Sequence, residues 1–536
     1  MSDNHPSSIV RDVTESLQDS LGNFKSPTST TANSPILSST EPQAITDLSE
    51  LSEVLSREIE VSDENIVLAE ERKAEGNTKL LSKDFASAID LYTEAIDLNP
   101  TKAVYWANRA QAEISTEQFG SAIADATMAI KLDPNYVKAY YRRAVSFVSI
   151  TKHKDALKDF RKICQLAPND KLARTRLNEC SKLIRRLAFE EAIEIDDPPS
   201  AAEGLDISLM TVPADYDGGK LGDCMTQEFI DDMLTRFKNG KTIHVKYVYQ
   251  ILLAVKDILT TEATMTDVHV IEPNHLTVCG DTHGQFFDLM HIFETNGFPS
   301  QSNAYLFNGD FVDRGSWSTE IALTLYAYKW LMPHDMHLNR GNHETDDMNK
   351  VYGFEGECKA KYNERVFKIF SESFSLLPLA CLVQEKYLVL HGGLFSDDKV
   401  KLEDLRNINR HKKKQPGHEG LMMEMLWTDP QTTPGRGPSK RGVGLQFGPD
   451  ITKRFCDNNG LTAIIRSHEV RQDGYEIEHD GKCITVFSAP NYCDTQGNDG
   501  AFIRIDGNGE MRYTRFKASP HPAVRPMAYS SMSHMM

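Results

Sequence analysis

The chain is 536 residues long, 40% hydrophobic and 25% charged, with a formal net charge of −18. That length exceeds what one hydrophobic core organises, so two or three domains are expected; so acidic a composition excludes a protein whose main business is gripping nucleic-acid phosphates. Nine scattered cysteines with no CxxC pair fit reduced thiols rather than a secreted disulfide framework. The N-terminus lacks the basic start and apolar core of a signal peptide, and no apolar run is long enough to span a bilayer. The expected compartment is the cytoplasm, with the nucleus also open.

Residues 1–65 are rich in Ser, Thr, Asn and Pro, as in SPTSTTANSPILSSTEP at 26–42. They carry too little apolar surface to offset the entropy of ordering and read as a disordered extension. Leu48, Leu51 and Leu55 fall at helical spacing within it, as a transient turn. Residues 66–192 change to amphipathic helices that repeat. LNP, LDP and LAP end at Pro100, Pro134 and Pro168, 34 residues apart each time, and the same offset links Gly76, Ala110 and Ala144, and Ala88, Ala122 and Ala156. Small residues mark close helix approach, and each proline stops a helix at a repeat boundary. Three helix pairs and a terminal helix near 169–192 predict an all-α superhelix. It resembles the tetratricopeptide repeat, a module that binds through a concave groove and has no chemistry of its own.

Residues 193–225 (EIDDPPSAAEG, DYDGGKLGD) are acidic and turn-forming and read as a linker. Helices are predicted at 226–238 and 245–259, the second with Tyr247, Ile251, Val255 and Ile258 on one face. Past residue 275 short apolar runs alternate with helices, an α/β pattern. Five of these strand-like runs end in polar clusters: GDTHG with Asp281 and His283, GDFVDRG with Asp310, Asp313 and Arg314, GNHE with Asn342, His343 and Glu344, HGG with His391, and RSH with His468. A strand end followed by glycine aims side chains into a pocket from a rigid base. Oxygen and imidazole donors without thiolate suit divalent ions of the manganese, iron or zinc type, and two such ions can clamp an in-line displacement at phosphorus.

Those blocks, with SAPNYC at 488–493, resemble in content and order the signature of the phosphoprotein phosphatase family of serine/threonine phosphatases, over about residues 275–510. The resemblance implies an α/β metallophosphoesterase domain, a central β-sandwich flanked by helices, over 226–510, and a C-terminal regulatory tail over 511–536. It implies two divalent metal ions (manganese, or iron and zinc) activating a hydroxide: Asp281 and His283 on the first, Asp310 bridging, Asn342, His391 and His468 on the second. His343 matches the general acid and Asp313 the carboxylate that orients it. Arg314 and Arg441 match the phosphate-holding pair, and Tyr492 the tyrosine bordering the pocket. The complete GDFVDRG and SAPNYC blocks, with Arg441, disfavour a phosphodiesterase.

Some tetratricopeptide domains grip a chaperone's C-terminal carboxylate through asparagines and cations. Lys73, Asn77, Asn108, Lys138 and Arg142 stand at the matching places, which implies the C-terminal peptide of heat-shock protein 90 as partner beside phosphoprotein substrates. Ser115 stands where a further basic residue is usual. Family members with such repeats are closed by them, and Glu117 matches the glutamate that reaches the active site, so autoinhibition is expected; a monomer is the default expectation for the oligomeric state. Three further expectations concern departures. Asn339, where an apolar residue is usual, is expected to unsettle its strand slightly; RHKKKQPGHEG at 410–420 reads as a solvated loop; Asp499 has no assigned role.

Overall fold

The 34-residue period becomes three antiparallel helix pairs in the computed structural model, which describes residues 61–192 and 199–530. The Ser/Thr-rich extension through residue 60, with its three leucines, and the last six residues of the tail lie outside that range. The pairs are α1 (Asp63–Leu81) with α2 (Phe85–Leu98), α3 (Ala103–Ser115) with α4 (Phe119–Leu132), and α5 (Val137–Ser149) with α6 (His153–Leu166); α7 (Lys171–Ala192) closes the stack. The first helix begins at Asp63, inside the stretch assigned to the extension, because the Ser62 side chain caps it by accepting from the Asn65 amide at 3.2 Å.

Polar side chains repeat with the helices. Arg109 donates to both carboxylate oxygens of Asp125 and to Thr93, and Arg143, 34 residues on, makes the same set to Asp159 and Thr127. The turn inside each pair also repeats: Lys83, Glu117 and Thr151 all adopt a left-handed backbone, with φ of 63°, 60° and 60°. The second of these turns is the one that carries a carboxylate.

Residues 199–225 are not a free linker. Apolar residues spaced among the acidic ones (Leu205, Ile207, Met210, Val212) pack on the helical layer of the following domain, and Leu221 and Met225 are buried. Glu372 accepts from Ser200 and the Ala201 amide, and Arg365 donates to the Ala201 and Glu203 carbonyls. Next come α8 (Gln227–Lys238) and α9 (Val245–Thr261), close to the predicted bounds.

The α/β region is a sandwich. One sheet runs β1 (Met265–Val268), β5 (Ala380–Val383), β6 (Tyr387–Leu390), β10 (Ala463–Arg466), β12 (Cys483–Val486), β11 (Tyr475–Glu478); the other runs β14 (Met511–Phe516), β13 (Gly500–Asp506), β2 (His275–Cys279), β3 (Asn303–Phe307), β4 (Met336–Leu338). A small third sheet orders β7 (Asp429–Pro430), β9 (Leu445–Phe447) and β8 (Arg436–Pro438). Alternation along the strands sends Val278, Leu306, Val389 and Ile465 into the shared interior. Phe307 faces a helical layer that includes α8, α9 and the helices α10 (Phe286–Asn296), α11 (Ser318–Leu331), α13 (Phe354–Lys361) and α14 (Glu364–Phe374), while the short α12 (Asp346–Tyr352) instead places Met348, Val351 and Tyr352 in a cluster with the repeat helices. Leu388 and Ile464 face the opposite cover, where α15 (Leu402–Arg406), α16 (Leu421–Trp427) and α17 (Pro449–Asn459) lie. Each fully buried Leu, Ile or Phe contributes roughly 1.5–3 kcal/mol.

Four expectations change here. Strand β14 completes the second sheet by pairing with β13, so the domain runs to Phe516 and the boundary at 510 falls inside a hairpin. Asn339 does not unsettle its strand: fully buried, it donates to Asn308 Oδ1 at 2.9 Å and to the Val389 carbonyl at 3.1 Å, tying the two sheets together. Arg410 is buried rather than solvated, spending its donors on the Leu376, Leu259 and Glu262 carbonyls and Thr264. Asp499 accepts from Arg515 at 2.7 Å and pairs with Lys517, pinning the start of β13 to the chain that leaves β14. Among the described residues no helix is long and apolar enough to cross a membrane.

Candidate active site

All five polar clusters converge at one rim, outside the carboxyl ends of β2, β3, β4, β6 and β10, where open α/β sheets hold their ligands. The turns that aim them are conformationally costly. His283, Asp310, Asp313, Arg314 and His468 have φ of 37°, 50°, 70°, 67° and 74°, a region L side chains rarely adopt. Glu344 overcomes that cost for the Asp310 turn, accepting from the amides of Asp310 and Gly341 at 2.8 Å and of Phe311 at 3.0 Å. Gly341 is required for the same reason, since a Cβ there would lie 2.2 Å from Asp310 Oδ1.

The imidazoles show what the rim is built to hold. His283 Nδ1 faces the Val312 carbonyl at 3.0 Å and His391 Nδ1 faces the Asn308 carbonyl at 2.8 Å, so in each ring Nδ1 carries the hydrogen. Each Nε2 therefore presents a lone pair. That of His283 faces Asp281 Oδ2 at 3.7 Å and Asp310 Oδ2 at 3.5 Å; that of His391 faces Asp310 Oδ2 at 3.2 Å and Asn342 Oδ1 at 2.9 Å. His468 Nδ1 stands 3.1 Å from the same His391 nitrogen, while its Nε2 is buried without a partner. Acceptors converging on acceptors are stable around a cation. Two donor groups meet this condition, one of His283, Asp310 and His343, the other of Asp310, His391 and His468, each with atoms within 4.8 Å of one another and sharing Asp310. This donor set fits divalent metal.

Ionisation agrees with that fit. Burial first, with neighbouring charged and imidazole groups adding to it, holds His283, His343 and His468 well below the ordinary imidazole range, which keeps His283 and His468 neutral as ligation requires. Burial pushes the Asp281 carboxyl up to about 7, with the Asp310 charge adding to the shift and His391 opposing it.

Beside the donor cluster, His343 Nδ1 stands 2.9 Å from Asp313 Oδ2. Asp313 is fixed in turn by the Phe354 amide and Asn349, each at 2.9 Å. Burial pushes the Asp313 carboxyl up to about 7, against those hydrogen bonds. Arg314 lies over the Tyr352 ring with its guanidinium carbon 3.9 Å from the centroid. Arg441 is held by Asp429 at 2.8 Å and by the His468 carbonyl at 2.6 Å. Tyr492, buried, stands with its ring 5.2 Å from His283.

The two arginines meet on a carboxylate from the repeats. Glu117 Oε1 lies 2.7 Å from Arg314 Nη2, and Oε2 lies 3.9 Å from Arg441 Nη1. Burial works against the Arg314 charge, yet Glu117 holds that guanidinium well above its ordinary range. Around this contact the Lys440 carbonyl accepts from the Gly120 and Ser121 amides at 2.7 and 3.1 Å, completing the N-terminus of α4, and Gln496 donates to the Ser115 carbonyl at 2.7 Å. Tyr352 donates to the Ser149 carbonyl at 2.8 Å. The tail joins in: the Met527 amide donates to the Arg314 carbonyl at 2.7 Å, and Ser316 to that of Arg525 at 2.7 Å.

In the repeat groove Asn108 donates to Asn77 at 3.1 Å, and Arg142 faces Asn108 and Gln111 at 3.4 Å. Lys73 is paired with Glu70 on its own helix, and Lys138 stands one turn from Arg142. Sequence reasoning gave no role to Glu344, Tyr352, Asn349 or Asp429, which support the site. Glu344 lies within the GNHE block and was legible as part of it; the other three carry no local signal.

Paired carboxylate–histidine donor clusters on a β-sandwich rim, flanked by two converging arginines, define a metal-dependent phosphoesterase, and residues 275–472 match the calcineurin-like phosphoesterase model. Residues 177–267 match the model of the phosphatase 5 repeat region. The chain is 62% identical to serine/threonine-protein phosphatase T of Aspergillus oryzae, over 86% of this chain and 97% of that protein, and 50% identical to serine/threonine-protein phosphatase 5 of Rattus norvegicus, over 86% and 93%. A Saccharomyces cerevisiae serine/threonine phosphatase structure with similarity to human phosphatase PP5 superposes with TM-score 0.55 at 48% identity, covering 57% of this chain and all of that one. The chain belongs to the serine/threonine-protein phosphatase 5/T family and is a protein phosphatase.

Proposed function

We propose that this chain hydrolyses phosphoserine and phosphothreonine at a dinuclear centre that its own repeat domain keeps closed until a chaperone tail draws the repeats away. Asp281, His283 and Asp310 would hold one ion and Asp310, Asn342, His391 and His468 the other, manganese or an iron and zinc pair. When bound, the two cations supply an activated water and a positive clamp on the phosphoryl oxygens. Arg314 and Arg441 orient the phosphoryl group through their planar donors. His343 gives its proton to the departing serine or threonine oxygen, and Asp313 keeps the imidazole aimed. Tyr492 borders the substrate on the side of His283.

The observation that carries this reading is Glu117 standing between the two arginines, a carboxylate in a seat shaped for a tetrahedral anion. An arginine pair that attracts one anion serves another, so the same contact supports both phosphate recognition and closure. Lys138, Arg142, Asn77, Asn108 and Lys73 form a cationic, amide-rich groove suited to a terminal carboxylate such as that of heat-shock protein 90. The test is turnover of a phosphoserine peptide, with manganese, by the full chain and by a chain starting near residue 200, each with and without the chaperone pentapeptide. The full chain is expected to be slow and activated by pentapeptide, the shorter chain fast and indifferent to it; equal turnover by both removes the closure claim.

A further inference from the structure

The basic loop after Arg410 is the one motif of the sequence that neither the metal centre nor the repeat groove absorbs. Its neighbours in register fix its position. Leu390, the residue before His391, pairs with Ala380, and Ala380 pairs with Met265. Thr264, one residue before Met265, accepts from Arg410 at 3.0 Å. Thr264, which holds the Arg410 guanidinium, thus lies at the same rim as His391, two strand spacings away, about 10 Å. At its far end the loop is held again: the Lys414 carbonyl accepts from Arg340 at 2.8 Å, two residues before Asn342. Between these anchors a turn is closed by Asn409, whose side chain and carbonyl accept from the Lys412 and Lys413 amides at 3.0 and 2.9 Å.

His411, Lys412, Lys413 and Lys414 are all exposed on that turn. Among the described residues no carboxylate lies within ion-pair distance of Lys412 or Lys413; the Lys413 ammonium reaches only the Glu419 carbonyl, at 3.3 Å. A chain of net charge −18 that fixes three consecutive lysines at the edge of its catalytic rim concentrates positive potential on that side of the site. An extended peptide advances about 3.3 Å per residue, so residues roughly three to five positions from a seated phosphoserine come within reach of the lysine side chains.

We infer that Lys412, Lys413 and Lys414 form a specificity site that selects phosphopeptides carrying acidic residues about three to five positions from the phosphorylated residue. The inference rests on the phosphatase reading above. It assigns the lysines no part in the chemistry: they touch the flanking peptide.

The test compares phosphoserine peptides with two glutamates at those positions, on either side, against the same peptides with glutamine, using the manganese-loaded full chain and a Lys412→Gln, Lys413→Gln, Lys414→Gln triple variant. The expected result is a kcat/KM preference for one glutamate peptide of about two- to tenfold, the range of exposed ion pairs. It should shrink toward unity at high salt and in the triple variant, while the glutamine peptide is hydrolysed equally by both proteins. A wild-type ratio near unity, or a ratio the triple variant leaves intact, overturns the proposal. A flat ratio accompanied by lysine-dependent binding of heparin also overturns it, assigning the loop to another polyanion. Failure to hydrolyse any of the peptides reports instead against the phosphatase reading.

Discussion

The repeat domain and the catalytic domain are built in opposite ways, one from recurring local contacts and the other from contacts across the fold. The repeats are local: an Arg–Asp–Thr set and a left-handed turn recur every 34 residues, and each pair of helices is specified mostly by its own sequence. The catalytic domain is non-local. His343, Asp310, His391 and His468 come from four strand ends: Glu344 holds the Asp310 turn, Asn339 ties the two sheets beneath them, and Asp429 holds the Arg441 that donates to the His468 carbonyl. A periodic scaffold spreads its stability evenly, which leaves one turn free to take on a second role. Glu117 differs from Lys83 and Thr151 in side chain, not in backbone. A scaffold that concentrates strain at one rim gains chemistry and loses that freedom.

The severest challenge to this contrast is His343→Asn. With its proton donor removed and its neighbours intact, kcat should fall about 10²–10⁴-fold, with an unchanged melting transition; an activity loss matched by a fall in Tm would make His343 structural. Next is Glu117→Gln in the full chain. A hydrogen bond to a charged group contributes about 1.5–3 kcal/mol, so basal turnover should rise roughly tenfold or more, and a chain beginning near residue 200 gives the ceiling. Gly120→Ala attacks the proposed closure without replacing either arginine side chain, because its Cβ would lie 2.5 Å from the Gly442 nitrogen, in the backbone beside Arg441. It should raise basal turnover severalfold and lower the pentapeptide concentration needed for activation; unchanged turnover would mean the backbones give way. Smallest in effect on activity is Arg143→Met, which leaves the buried Asp159 carboxylate unpaired and should cost about 3–5 kcal/mol in the repeats. Differential scanning calorimetry should place that loss in a repeat transition and spare the catalytic one.

Legibility followed the same division. The repeats were visible because their determinants recur at fixed spacing, down to Pro100, Pro134 and Pro168. The metal and acid residues were visible because glycine-bounded blocks keep them at strand ends. What escaped was the support from afar. Nothing beside Tyr352 in sequence announces the Arg314 guanidinium stacked on it, and Arg410 reads as one more cation of a basic run until its four hydrogen bonds to Leu376, Thr264, Leu259 and Glu262 are found. The stretch 199–225 looked like spacer because its acidic turns outnumber the few apolar residues that dock it.

Under the proposed closure, that docked stretch would set how the enzyme is switched. With Ser200 and Ala201 fastened to Glu372, only residues 193–199 separate the end of α7 from the catalytic body. At about 3.3–3.6 Å per residue such a tether spans little more than 20 Å. A Glu117 released from the proposed closed state would therefore stay at an effective concentration of order millimolar, whatever the dilution of the protein. On the closure proposed above, shutting the site would be a first-order event, indifferent to how much enzyme a cell contains, and an activating partner would have to remain bound for as long as turnover is to continue.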